Sequence, residues 1–147
     1  MMGCLKSGLV ALSVCAVVAA VAFAEEKDPT LARVPPDQRA EAKAMKNPMA
    51  KTPENIAKGK AIYGGKGTCF NCHGATGKGD GPAGQILNPS PRDFTNPKFH
   101  KNRKDGEMFW VLKNGSAGTG MVPMIGTAIT EDEAWLVILY ERSFASK

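Results

Sequence analysis

Apolar and polar positions divide the chain into stretches of different texture. Residues 9–23 are apolar almost without a break, residues 25–52 are charged and alanine-rich with Pro29, Pro35, Pro36 and Pro48 interrupting them, and helical periodicity begins beyond Thr52. Pro53 and Glu54 suit the first turn of a helix that runs to about Tyr63 and stops at Gly64 and Gly65. Gly59 and Tyr63 lie four apart on one face of it. Glycine inside a helix costs about 1 kcal/mol relative to alanine, so Gly59 predicts a second backbone passing close by. Asp105 as N-cap and Gly115 just past the end frame a second helix, with Glu107 and Lys113 placed favourably for the helix dipole and Met108, Val111 and Leu112 as its inward stripe. Thr130 and Glu133 form a capping box before Ala134-Trp135-Leu136-Val137-Ile138-Leu139-Tyr140. Leu136, Leu139 and Tyr140 share a face of this third helix, and its nearly all-round apolarity predicts a wedge between the first helix and another apolar body.

Strand signals are few, so the expected class is all-α with three main helices and long loops. Residues 74–84 and 88–97 are dense in Gly, Pro, Asn and Asp and read as loops wrapped around a fixed object. Loops this long in a short chain are usually functional. Residues 25–52 hold almost no large apolar side chain and are expected to be a tether or surface wrap, with a helical turn or two between 37 and 45. The compact domain is expected to span residues 53–147.

The first 24 residues change the setting. Lys6, the apolar stretch 9–23 and Ala22-Phe23-Ala24 before Glu25 and Glu26 have the form of an export signal. Cleavage after Ala24 is favoured over retention as an anchor, because the stretch is short for a span of about 20 residues. Removing 24 of 147 residues leaves 123, enough for one ordinary domain. It also removes Cys4 and Cys15, so the mature chain keeps only Cys69 and Cys72, an unusual inventory for an exported, disulfide-stapled scaffold.

Those two cysteines stand in Cys69-Phe70-Asn71-Cys72-His73, an instance of C-x-x-C-H. Two thiols at this spacing can each add to one vinyl group of a single haem, and His73 is then tethered where its imidazole can reach the iron. Its second ring nitrogen needs an acceptor to fix tautomer and orientation, and a backbone carbonyl in the following loop is expected to supply it. A zinc site competes with this reading but would need four ligands, and only His100 remains outside the motif. A redox C-x-x-C belongs near a βαβ pattern, and a disulfide leaves His73 without a task. Covalent haem also gives the long loops an apolar plate to close upon.

With these residues in view, the chain resembles the class I c-type cytochromes, small bacterial monohaem proteins that carry electrons outside the cytoplasmic membrane. The resemblance covers residues 52–144 and rests on CFNCHG, the Gly59 and Tyr63 pair, GKGDGPAG after the histidine, NGSAGTGM, and ITEDEAWLVILYERSF, all in the family's order. It implies the cytochrome c fold, one haem c held by two thioethers, and a methionine sulfur opposite His73 from the loop between the second and third helices. Met121, after Gly118-Thr119-Gly120, stands where the family's ligand usually does. Val122 replaces the proline many relatives carry next, Pro123 coming one residue later, and this leaves Met124 open. A thioether favours reduced iron and suits a carrier.

The resemblance also suggests the Pro82 carbonyl as acceptor for the His73 ring proton, although a proline in a GDGP turn has a local reason to exist. Arg92 is a candidate partner for a haem propionate, with a solvated arginine as the alternative. His100, a conceivable distal ligand, is expected instead to be a solvated loop histidine, and Trp110 and Trp135 to be core residues.

The net charge of +5, or +4 once Lys6 leaves, includes Lys98, Lys101, Arg103 and Lys104, a cluster able to steer the protein to an acidic redox partner. Export and the lack of any recognition module argue against nucleic acid. The expected function is a non-enzymatic, periplasmic monohaem electron carrier with His73 and Met121 on the iron, bound to a membrane only if the N-terminal segment is retained. The alternatives are a peroxidase-like haem enzyme or gas sensor with an openable distal site, and an electron-transfer subunit fixed to a dehydrogenase or oxidase.

Overall fold

The computed structural model of the protein describes residues 31–146. The export signal and its cleavage point lie outside the described residues. Among those described, the chain is helical and has no strand, only an isolated bridge between Ile125 and Ile129. Its helices are α1 (Arg39–Ala44), α2 (Pro53–Gly64), α3 (Phe70–His73), α4 (Pro97–Asn102), α5 (Asp105–Asn114) and α6 (Glu131–Ser143), with a 3₁₀ turn at Phe144–Ser146. The longest, α2, α5 and α6, are the expected main helices; α4 stands where a solvated loop is expected around His100.

Local chemistry explains the boundaries. Thr52 caps α2 by accepting from the Asn55 amide at 3.2 Å, with Pro53 in the first turn. Thr130 and Glu133 form the expected reciprocal box at the start of α6. At α5 the cap is Lys104 and Asp105 is already helical; the Glu107 carboxylate reaches back to the Lys104 amide at 2.9 Å.

The core forms where α6 crosses α2, the most extensive helix pair in the fold. Gly59 makes that crossing possible, since a Cβ there would stand 2.0 Å from the Leu136 carbonyl oxygen. Tyr63, Tyr140 and Phe144 then meet edge to face with ring centroids 4.8–5.9 Å apart, a geometry aromatic quadrupoles favour. On the opposite flank Trp135 stacks on Phe109 of α5 at 4.1 Å. Trp135 is thus a core residue, as expected. Trp110 is not: it lies half-buried and donates its indole N–H to the Gln38 side chain at 2.8 Å.

Residues 31–52 wrap this core. Val34 and Ala42 are buried, α1 packs on α5, and the Asn47 side-chain amide donates to the Trp135 carbonyl at 3.0 Å. Gly106 admits the contact, because a Cβ there would lie 2.0 Å from the Ala42 carbonyl oxygen. Met45 and Met49 of the segment also pack against the hydrophobic core, partly buried.

Candidate functional site

The short helix α3 arises from the motif itself. The amides of Cys72 and His73 both donate to the Cys69 carbonyl, at 3.3 and 2.9 Å, and this single turn brings Cys69, Cys72 and His73 to the wall of one cleft. The two thiols are not joined as a disulfide. Burial, aided by the nearby Glu141 carboxyl, pushes the Cys69 thiol up to about 12. Such a thiol is little ionised near neutral pH, which ill suits redox exchange. Among the described residues no three of His, Cys, Asp or Glu gather where they could hold a metal ion.

His73 Nδ1 lies 3.0 Å from the Arg92 carbonyl oxygen. A carbonyl can only accept, so Nδ1 is the donor in this contact, and the bond fixes how the ring is turned. Phe94 stacks on the imidazole at 4.5 Å and holds its plane. The loop carbonyl expected from the sequence is present, but it belongs to Arg92 and not to Pro82, which is exposed. Residues 81 and 83 are tied back to the carbonyls of Cys72 and Asn71, which turns that loop along α3 while residues 91–94 pass by the histidine.

Met121 and Met124 both reach the same cleft. Their loop is pinned by backbone bonds from the Ser116 amide to the Met121 carbonyl and from the Met124 amide to the Leu112 carbonyl, at 2.9 and 2.8 Å. The cavity of about 210 Å³ far exceeds the ~10–15 Å³ that one water needs, so this is a ligand-sized hollow rather than a packing defect. Leu87, Phe94, Phe99, Met108 and Leu112 give it apolar walls. Two atoms of wall residues, Ser116 Oγ and Arg33 Nε, are buried without a hydrogen-bond partner. An apolar plate carrying carboxylates, as haem does, fits apolar walls punctuated by unsatisfied donors.

Several sequence expectations are corrected. His100 is no solvated loop residue: it sits in α4, its Nε2 donates to the Phe94 carbonyl, and its Nδ1 accepts from Arg142 at 3.2 Å. Burial lowers its pKa, and it is absent from the cleft wall. Arg103 is not part of an exposed basic cluster, being buried beside Glu107 at 3.5 Å, whereas Lys98, Lys101 and Lys104 are exposed. Arg92 is buried rather than solvated and is one of the residues of the cleft wall; its guanidinium donates to the Leu31 carbonyl at 3.3 Å and lies 5.6 Å from the Phe99 ring centre.

Glu141 was not anticipated at the site, although it follows Val137 by four and so shares a buried helical face. It lines the cleft, and burial drives its carboxyl up to about 8. Between its ordinary value of 4.5 and about 8, the folded protein keeps a proton that the unfolded chain releases. Stability from this group is therefore present below pH ~4.5 and lost as pH rises towards about 8. Glu141→Gln is expected to gain on the order of 1–2 kcal/mol at pH 8 and little at pH 5, read from denaturant unfolding at both values. An equal gain at both would show that the carboxyl does not titrate in this window.

Comparison with known proteins agrees with this geometry. No curated protein matches the chain. A solved structure similar to it belongs to the Kuenenia stuttgartiensis reducing HAO-like protein complex Kustc0457/Kustc0458, with 30% identity and a TM-score of 0.58 over 68% of this chain and 49% of that one. This chain thus spans about half the length of that neighbour. The family model for cytochrome c matches residues 56–144, from α2 through α6 and across every element that builds the cleft except the N-terminal segment. By that match the chain belongs to the cytochrome c family, whose members bind haem c covalently and transfer electrons.

Proposed function

We propose that the protein is a monohaem electron carrier working outside the cytoplasmic membrane, with iron held between His73 and Met121 and no substrate chemistry of its own. The observation that carries this reading is the bond from His73 Nδ1 to the Arg92 carbonyl, which holds the imidazole in a fixed orientation at the wall of an apolar cleft. Haem bound there supplies the one-electron couple. Cys69 and Cys72 anchor it, Phe94 keeps the imidazole plane, and the apolar walls exclude water. The extracytoplasmic setting rests on the signal-like residues 1–24. The exposed Lys98, Lys101 and Lys104 suit an acidic redox partner.

Met121→Ala is expected to remove the weak far-red ferric absorption band of sulfur-ligated iron and lower the midpoint potential by on the order of 0.1–0.3 V, while Met124→Ala leaves both near wild type. The opposite pattern would reassign the ligand to Met124. The untreated ferrous protein should take up carbon monoxide slowly or not at all, since its coordination is closed; rapid uptake would favour a haem enzyme or sensor. A second reading, a subunit fixed within a larger redox assembly, is supported by the complex in which the similar structure occurs. Native-mass measurement of the purified holoprotein separates the two.

A further inference from the structure

Part of the cleft wall lies outside the region that matches the family. Arg33 and Val34 line the cavity although the family match begins at residue 56. Their segment is built into the fold. Val34 is 2% exposed, its carbonyl accepts from Arg39 Nη2 at 3.2 Å, the Leu31 carbonyl accepts from Arg92, Gln38 accepts from Trp110, and the Ala42 carbonyl presses on Gly106. Arg33 is therefore carried to the cleft by a stretch anchored at both ends. Its Nε is buried without a hydrogen-bond partner, an arrangement that is costly unless a ligand supplies an acceptor. The other two arginines of the wall already have protein partners, Arg103 in Glu107 and Arg92 in the Leu31 carbonyl.

We propose that residues 31–45 form a strap that completes the haem site, with Arg33 as a haem-binding residue whose guanidinium pairs with a haem carboxylate. Arginine suits this role because its charge is permanent and its planar donors match a carboxylate. Its charge in a desolvated cleft disfavours the more positive ferric state, so the strap holds the potential up. This rests on the haem reading of the site.

The test uses full-length holoprotein in wild-type, Arg33→Lys and Arg33→Gln forms. Covalent haem is first verified by the alkaline pyridine spectrum, and midpoint potentials are then measured against pH and salt. Arg33→Gln is expected to lower the potential, to keep most of that drop at about 1 M salt, where exposed charges are screened within ~3 Å, and to move the onset of the potential's pH dependence upward as the carboxylate loses its cation. Arg33→Lys should stay near wild type. An unchanged potential and pH profile in Arg33→Gln, or equal shifts in both variants, overturns the pairing while leaving the carrier reading intact. Wild-type protein without covalent haem overturns that reading instead.

Discussion

Replacing both Cys69 and Cys72 with alanine is expected to convert a permanently attached haem into one that acidified acetone extracts completely. The two sulfurs stand three residues apart on a single turn, so each can hold a different vinyl group of the same haem. Without them only iron ligation and apolar contact retain the group, and both fail in acid, where imidazole is protonated and the fold opens. A covalent tether also keeps the haem at the cleft through any transient opening. Its loss makes folding depend on haem concentration, as with any ligand that binds only the folded state. The double variant should lose all haem staining on a denaturing gel and melt roughly 10 °C or more below wild type. Staining that survives denaturation would end the thioether assignment.

Gly59→Ala should be strongly destabilising although it adds a single methyl group. The added Cβ would lie 2.0 Å from the Leu136 carbonyl oxygen, 2.7 Å from its carbon and 3.1 Å from the Tyr140 Cβ, whereas real Cβ contacts do not fall below 3.0 Å. Two of those atoms are backbone, so no rotamer relieves the overlap, and α2 and α6 must part by about 1 Å. That movement separates Tyr63 from Tyr140 and Phe144 at once. Overpacking of this kind costs ~3 kcal/mol or more, a large share of the 5–15 kcal/mol typical of a domain. Alanine's better helix propensity returns only about 1 kcal/mol. Thermal melts should show a fall of roughly 10 °C or more, and a variant within ~2 °C of wild type would mean the crossing can yield.

How much of this was legible in the sequence depended on whether the controlling interaction was local. Caps and tight helix crossings have short-range signatures, so the starts of α2 and α6 and the close backbone approach at Gly59 could be read directly. The fate of a carbonyl or a lone charge is decided by residues far along the chain. Nothing near Pro82 says that its loop turns along α3 and leaves Arg92 to meet His73. His100 looked solvated because its neighbours are lysines, yet Arg142, 42 residues away, draws it inward. Glu141 carried a readable sign, a charge on an apolar face, whereas Arg33 carried none. The wedge expected of α6 is real, but α2 and α5 fill both its sides, and only Glu141 from this helix reaches the cleft.

Arg92 has a position whose effect extends beyond either of its bonds. Its carbonyl orients His73 while its guanidinium grips the main chain at Leu31, 61 residues earlier. One residue thus acts as a rivet between the imidazole and the N-terminal edge of the molecule. Mutational drift in that edge, remote in sequence from C-x-x-C-H, can therefore adjust the basicity and tilt of the ring without altering any residue of the motif. Related proteins sharing the motif but differing upstream of residue 53 should accordingly differ in potential.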